Sequence, residues 1–138
     1  DEMLSEITKK LDVDYIVMNA AVADYKMHKI HNGKLKKNGA DLKIKLTPTV
    51  DILNTIRPET SACIIGFALE LENQDDNAMR KMKEKKLDFI ILNTANNTQG
   101  FDVDTNQVTI FSKSGDKIKS NLDTKERIAD FIWHKIID

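Results

Sequence analysis

Three short apolar runs constrain this chain more than anything else in it: Tyr15-Ile16-Val17-Met18, Ala62 to Phe67, and Leu87 to Leu92. None shows the alternation of a strand with one wet face. Continuous apolar runs of this length are what strands look like when both faces of their sheet are covered, as in parallel sheets crossed by helices. The intervening segments read as those helices. Val50 to Ile56 has Thr49 as its expected N-cap and Asp51 in its first turn, and Glu72 to Lys86 is a charged helix. Met3, Leu4, Ile7 and Leu11 place another helix before the first strand. The order strand, helix, strand, helix, strand predicts an α/β fold, a Rossmann-like three-layer sandwich on a mainly parallel sheet.

The remaining segments are less regular. Asp24 to Asp41 loses periodicity, gathers Lys, Gly and Asn, and reads as a long basic loop; loops of that length in compact domains usually carry function. Leu42, Ile44 and Leu46 alternate with Lys43 and Lys45, a strand with one wet face, ended by Thr47-Pro48-Thr49. Thr94 to Asp104 is a polar loop. Val108 to Ser112 and Lys117 to Lys119 form a hairpin with a two-residue Gly115-Asp116 turn. Asp123 or Thr124 caps a closing helix whose apolar stripe is Ile128, Phe131, Ile132 and Ile136. With 138 residues, 41% of them hydrophobic, one domain is expected.

Charge narrows the partners. The 21 basic and 22 acidic residues leave a net charge of −1, so the overall field gives no reason to expect nucleic acid or an anionic membrane. No apolar stretch approaches the ~20 residues of a membrane span, and the chain reads as cytoplasmic. Cys63, the single cysteine, sits in an apolar run and reads as a small core hydrophobe. His28 and His31 lack carboxylate or thiol companions at ligand spacing, and no metal ligand set is expected. The chain opens at Asp1, without Met and directly in a helical pattern, which raises the expectation of a piece of a longer protein.

The candidate chemistry lies at strand ends, because open parallel sheets bind ligands outside the carboxyl ends of their strands. At the first such end, Asn19-Ala20-Ala21-Val22-Ala23-Asp24-Tyr25 offers small residues for close backbone approach. Asp24 there is either an acceptor for a ribose or base, or a turn former. Lys34, Lys36 and Lys37 are either a clamp for triphosphate oxygens or a solvated charge run. The helix start within Pro48 to Leu53 exposes amides to an anion, although Asp51 repels one. Phe67 closes the second strand as either a stacking ring or core. Lys81 and Lys85 share a helix face, either as ligand contacts or simply solvated. Asn93 ends the third strand.

Taken in order, Ala20-Ala21-Val22-Ala23-Asp24-Tyr25, Lys34-Leu35-Lys36-Lys37, Asp51-Ile52-Leu53, Gly66-Phe67-Ala68-Leu69-Glu70, Lys81, Lys85, Asp88 and Asn93 resemble the bacterial phosphopantothenoylcysteine synthetase family. The resemblance covers nearly the whole chain and is weakest after Thr94. It implies a nucleotide site in which Ala20, Asp24, Val50, Asp51, Ile52, Leu53, Phe67, Lys81 and Lys85 contact the nucleotide and Lys34 is catalytic. The implied reaction activates phosphopantothenate with CTP, or less favoured ATP, to an acyl-nucleotide and pyrophosphate; the amine of cysteine then displaces the nucleotide. Mg2+ would accompany the triphosphate, and FMN would enter only with a decarboxylase domain fused upstream. A homodimer is implied, with contacts near the segment after Asp24.

Two departures stand against the family pattern. The usual Lys-Asn/Thr-Pro-Asp-Ile reads Pro48-Thr49-Val50-Asp51-Ile52 here. The family's glycine-rich first strand-turn-helix and its Asn-containing segment are not found, so the chain is expected to be the C-terminal part of a synthetase domain. The alternative is a non-catalytic nucleotide-binding module; a dinucleotide reductase is disfavoured because no Gly-x-Gly-x-x-Gly follows any strand.

Overall fold

The computed structural model describes residues 1–29, 32–34, 36, 39, 41–93 and 104–137. Helix α1 (Glu2–Thr8) leads into β1 (Tyr15–Met18), followed by the short strands β2 (Tyr25–Met27) and β3 (Leu46–Pro48). Then come α2 (Ile52–Ile56) with a 3-10 turn at Arg57–Glu59, β4 (Cys63–Leu69), α3 (Gln74–Glu84) and β5 (Phe89–Asn93). The chain ends with β6 (Thr105–Asn106), β7 (Val108–Ser112), β8 (Lys117–Lys119), β9 (Asp123–Thr124) and α4 (Lys125–Ile137).

The central sheet has the order β1-β4-β5-β7-β8. β1, β4 and β5 pair in parallel, and the hairpin β7–β8 extends them antiparallel, so β7 alone runs against the other four. Strand alternation divides the core between two faces. Ile64 and Ala68 of β4, with Ile90 and Leu92 of β5, pack against Ile52, Ile56, Ala78 and Met82 of α2 and α3, and α1 adds Leu4 and Ile7. Cys63, Ile65, Phe67, Phe89 and Ile91 face the other way, onto Ile128, Phe131, Ile132 and Ile136 of α4. Each fully buried Ile or Leu contributes roughly 1.5–3 kcal/mol, which is why the apolar runs and the α4 stripe fall where periodicity puts them. The expected three-layer α/β sandwich is therefore present.

Several local expectations are corrected. The segment read as loop from Asp24 begins with β2, which pairs antiparallel with β3 so that Tyr25 faces Pro48 and Met27 faces Leu46. The strand expected over Leu42 to Leu46 is Leu46–Pro48 instead. Pro48 is tolerated because a two-stranded ribbon leaves room for a residue that donates no hydrogen bond. Thr49 does not cap α2: its hydroxyl donates to the Ala23 carbonyl at 2.6 Å and its amide to the Asp24 carbonyl at 2.8 Å. The cap is Asp51, whose carboxylate accepts from the Asn54 amide at 3.2 Å. The β7–β8 connection is four residues, 113–116, with Gly115 at φ +103°, rather than a two-residue turn. At α4, Thr124 is the residue whose hydroxyl accepts from the Arg127 amide, at 3.3 Å. Lys37, His31 and the loop 94–103 lie outside the described residues. Among those described, no helix is long and apolar enough to cross a membrane.

Candidate functional site

The carboxyl ends of β1, β4 and β5 open into a cleft of about 610 Å3. β1 runs out into Asn19 to Asp24, which forms one wall; Gly66 to Leu69 of β4 and Asn93 of β5 line the cleft beside it. The start of α2, Val50 to Leu53, and Lys81 and Lys85 of α3 complete the lining. Ala20, Asp24, Val50, Asp51, Ile52, Leu53, Phe67, Lys81 and Lys85 are thus brought together, although up to 65 positions separate them in the chain. Lys34 is exposed and is not among the described lining residues.

Local chemistry explains how each wall is held. The two hydrogen bonds of Thr49 to Ala23 and Asp24 tie the β1 exit to the entrance of α2, joining the two walls. Thr49 and Leu87 line the cleft without having been read from the sequence as site residues; Thr49 had been expected only as a helix cap. Asn93 accepts from Asn106 Nδ2 at 2.8 Å, which fixes its side chain at the end of β5.

The α3 wall ends in a Schellman motif. The Lys86 amide donates to the Lys83 carbonyl at 3.2 Å and the Leu87 amide to the Met82 carbonyl at 3.0 Å, with Lys86 left-handed at φ +52°. Lys85 is the C-cap residue, its amide on the Lys81 carbonyl at 3.0 Å. Its ammonium donates to Asp51 Oδ2, joining the end of α3 to the start of α2. Burial opposes ionisation of Asp51. The Lys85 hydrogen bond, the Asn54 amide and the charge of Lys85 outweigh it and hold the carboxyl below its ordinary range.

The opposite edge of the sheet is structural. Asp88 accepts from the Ile64 amide at 2.9 Å, from Arg57 Nη1 at 3.0 Å and from Lys113 Nζ. Burial raises its pKa, but these donors prevail and the net shift is downward. Cys63, half-buried on the α4 face, has its thiol pushed up by burial and then by Asp88, which fits a core thiol rather than a nucleophile.

Among the described residues, no group of three or more His, Cys, Asp or Glu could hold a metal ion. In the cleft the carboxylates are Asp24 and Asp51, and Asp51 is committed to Lys85. The cleft offers small-residue backbone, the Phe67 ring, the Lys81 ammonium and a Lys85 ammonium already engaged by Asp51, a set that can take a ligand with a planar group and an anionic part.

The chain has relatives among known proteins. The chain is 38% identical over 125 residues to the coenzyme A biosynthesis bifunctional protein CoaBC of Haemophilus influenzae, an alignment covering 86% of this chain and 30% of that protein. It is 35% identical over 129 residues to a protein of an unknown prokaryotic organism named cysteine/cysteine sulfinic acid decarboxylase, covering 91% and 36% respectively. The chain therefore spans about a third of the length of the curated relatives it matches. The crystal structure of the C-terminal domain of CoaBC superposes with a TM-score of 0.76 at 32% identity, covering 98% of this chain and 59% of that one. Residues 1–138 also match the family model of the DNA/pantothenate metabolism flavoprotein C-terminal domain, and the chain belongs to that family.

Proposed function

We propose that this chain carries the nucleotide site of a phosphopantothenate–cysteine ligase of coenzyme A synthesis, working in the cytoplasm, with CTP favoured over ATP. The observation that carries the reading is the convergence of Ala20, Asp24, Val50 to Leu53, Phe67, Lys81 and Lys85 on one cleft. Its volume of about 610 Å3 lies in the range of small-molecule sites. The CoaBC relatives are named for coenzyme A biosynthesis, the setting of this reaction.

A carboxylate is a poor acyl donor, so phosphopantothenate must first become an acyl-nucleotide, releasing pyrophosphate. The cysteine amine then forms the amide, losing a proton as the nucleotide departs. In this reading Phe67 stacks on the base, the Ala20 to Asp24 backbone and Asp24 hold the base or ribose, and Lys34 answers the charge of the leaving pyrophosphate. Mg2+, when bound, would neutralise triphosphate charge; the donor set fits an ion carried by phosphate oxygens, as Mg2+ usually is. Any flavin belongs to a fused decarboxylase domain. The decarboxylase name of one relative describes a protein of which this chain matches 36%.

A homodimer fits the exposed β2–β3 ribbon. Tyr25 is 60% exposed, and Met27, Leu46, Leu42 and Ile44 are similarly bare, an apolar surface that a second copy would cover.

Calorimetric titration of CTP into the 138-residue chain tests the reading. Binding is expected, without phosphopantothenoylcysteine formation by this chain alone. Absence of CTP and ATP binding would overturn the nucleotide site, and full turnover by the chain would overturn its partial role.

A further inference from the structure

Asp51 and Lys85 meet across the cleft wall from two different crossover helices. Asp51 is held still: besides the Asn54 amide, Asn54 Nδ2 donates to it at 2.8 Å, and its carbonyl takes the Thr55 amide at 3.0 Å and the Thr55 hydroxyl at 2.7 Å. Lys85 is fixed by its place at the C-cap of α3. The Lys85 side chain is 27% exposed and that of Asp51 35%, so the pair is screened less than a surface ion pair. Lys81, one turn earlier, lines the same cleft and has no ion-pair partner among the described residues.

We propose that Asp51 sets the anion affinity of the cleft: it withholds Lys85 from phosphate oxygens and leaves Lys81 as the α3 cation that answers them. This rests on the nucleotide reading above. The charged groups lining the cleft are Asp24, Asp51, Lys81 and Lys85, which balance to zero. A wall without net charge holds a triphosphate only with help from cations outside it, such as the loop lysines. Pyrophosphate left after activation is then retained only while those cations stay. Asp51 therefore favours release of that product.

The test is titration of the chain with inorganic pyrophosphate, CMP and CTP at fixed ionic strength. Asp51→Asn keeps a capping side chain but removes the charge, freeing Lys85. Pyrophosphate and CTP should bind roughly 3- to 10-fold more tightly, the scale of one partly screened charge, with a smaller gain for CMP. Asp51→Asn combined with Lys85→Ala should lose that gain, because it runs through the Lys85 ammonium. Asp51→Ser, which also caps, serves if the Asn variant does not fold. Unchanged or weaker pyrophosphate binding by folded Asp51→Asn or Asp51→Ser overturns the proposal. So does a gain that survives Lys85→Ala. If the unmodified chain takes up neither CMP nor CTP, the nucleotide reading fails instead; if it binds both and the Asp51 variants gain nothing, only this inference fails.

Discussion

A methyl group added at Gly66 would stand 2.6 Å from Cδ1 of Leu87 and 3.7 Å from its Cγ and Cδ2. Leu87 is 3% exposed and cannot swing into solvent. Gly66→Ala should therefore cost about 1–3 kcal/mol, the usual penalty of overpacking. Urea unfolding is the measurement, and pairing the change with Leu87→Ala should recover part of the loss. Additive losses would mean that the two sites do not touch.

Lys86 occupies a left-handed position that helix ends normally give to glycine. Lys86→Gly should raise the unfolding free energy by about 1 kcal/mol, since the removed backbone strain exceeds the added freedom of the unfolded chain. A destabilised variant would show that the lysine side chain contributes more than its backbone costs.

Asp88→Asn should lower stability by about 2 kcal/mol, because it weakens charge-assisted bonds to Arg57 and the Ile64 amide. The pH dependence has a definite sign. A folded pKa below the ordinary value means that the contribution is complete above about pH 4, the unfolded range, and fades as pH falls through the folded value. The gap between parent and variant should shrink on acidification; a constant gap down to strong acid would rule out the carboxylate as its source.

On the proposed ligase reading, Lys34→Gln in the complete protein should lower turnover by about 10²-fold or more, the cost of one lost charge-stabilising donor, with less effect on nucleotide affinity. Lys36→Gln is the control. Equal losses in both variants would reduce the loop to a diffuse basic surface.

How much of this was readable beforehand depended on burial. β1, β4 and β5 were legible because strands covered on both faces spell continuous apolar runs, and α4 because one stripe faces the sheet. β2 was not: Tyr25-Lys26-Met27 is three exposed residues long and pairs only with β3. Pro48 marked a break where the ribbon in fact continues. The cleft residues could be named from a family pattern, but their mutual neutralisation could not, since Asp51 and Lys85 lie 34 residues apart and nothing local to either announces the other.

The sheet order also sets which of the three cleft-bearing strands opens first. β1 is an edge strand, and its pairing of Tyr15 with Cys63 must close over the β2–β3 ribbon and α2, whereas Phe89 of β5 meets Ser112 across a shorter stretch. Longer closures cost more entropy, and an edge strand has a neighbour on one side only. In hydrogen exchange the amides of β1 should therefore lose protection before those of β4 and β5. Because the exit of β1 is a wall of the cleft, the site is lost in that first opening. A bound ligand would then slow exchange most at Tyr15 to Met18, turning the edge strand of the cleft into a reporter of occupancy.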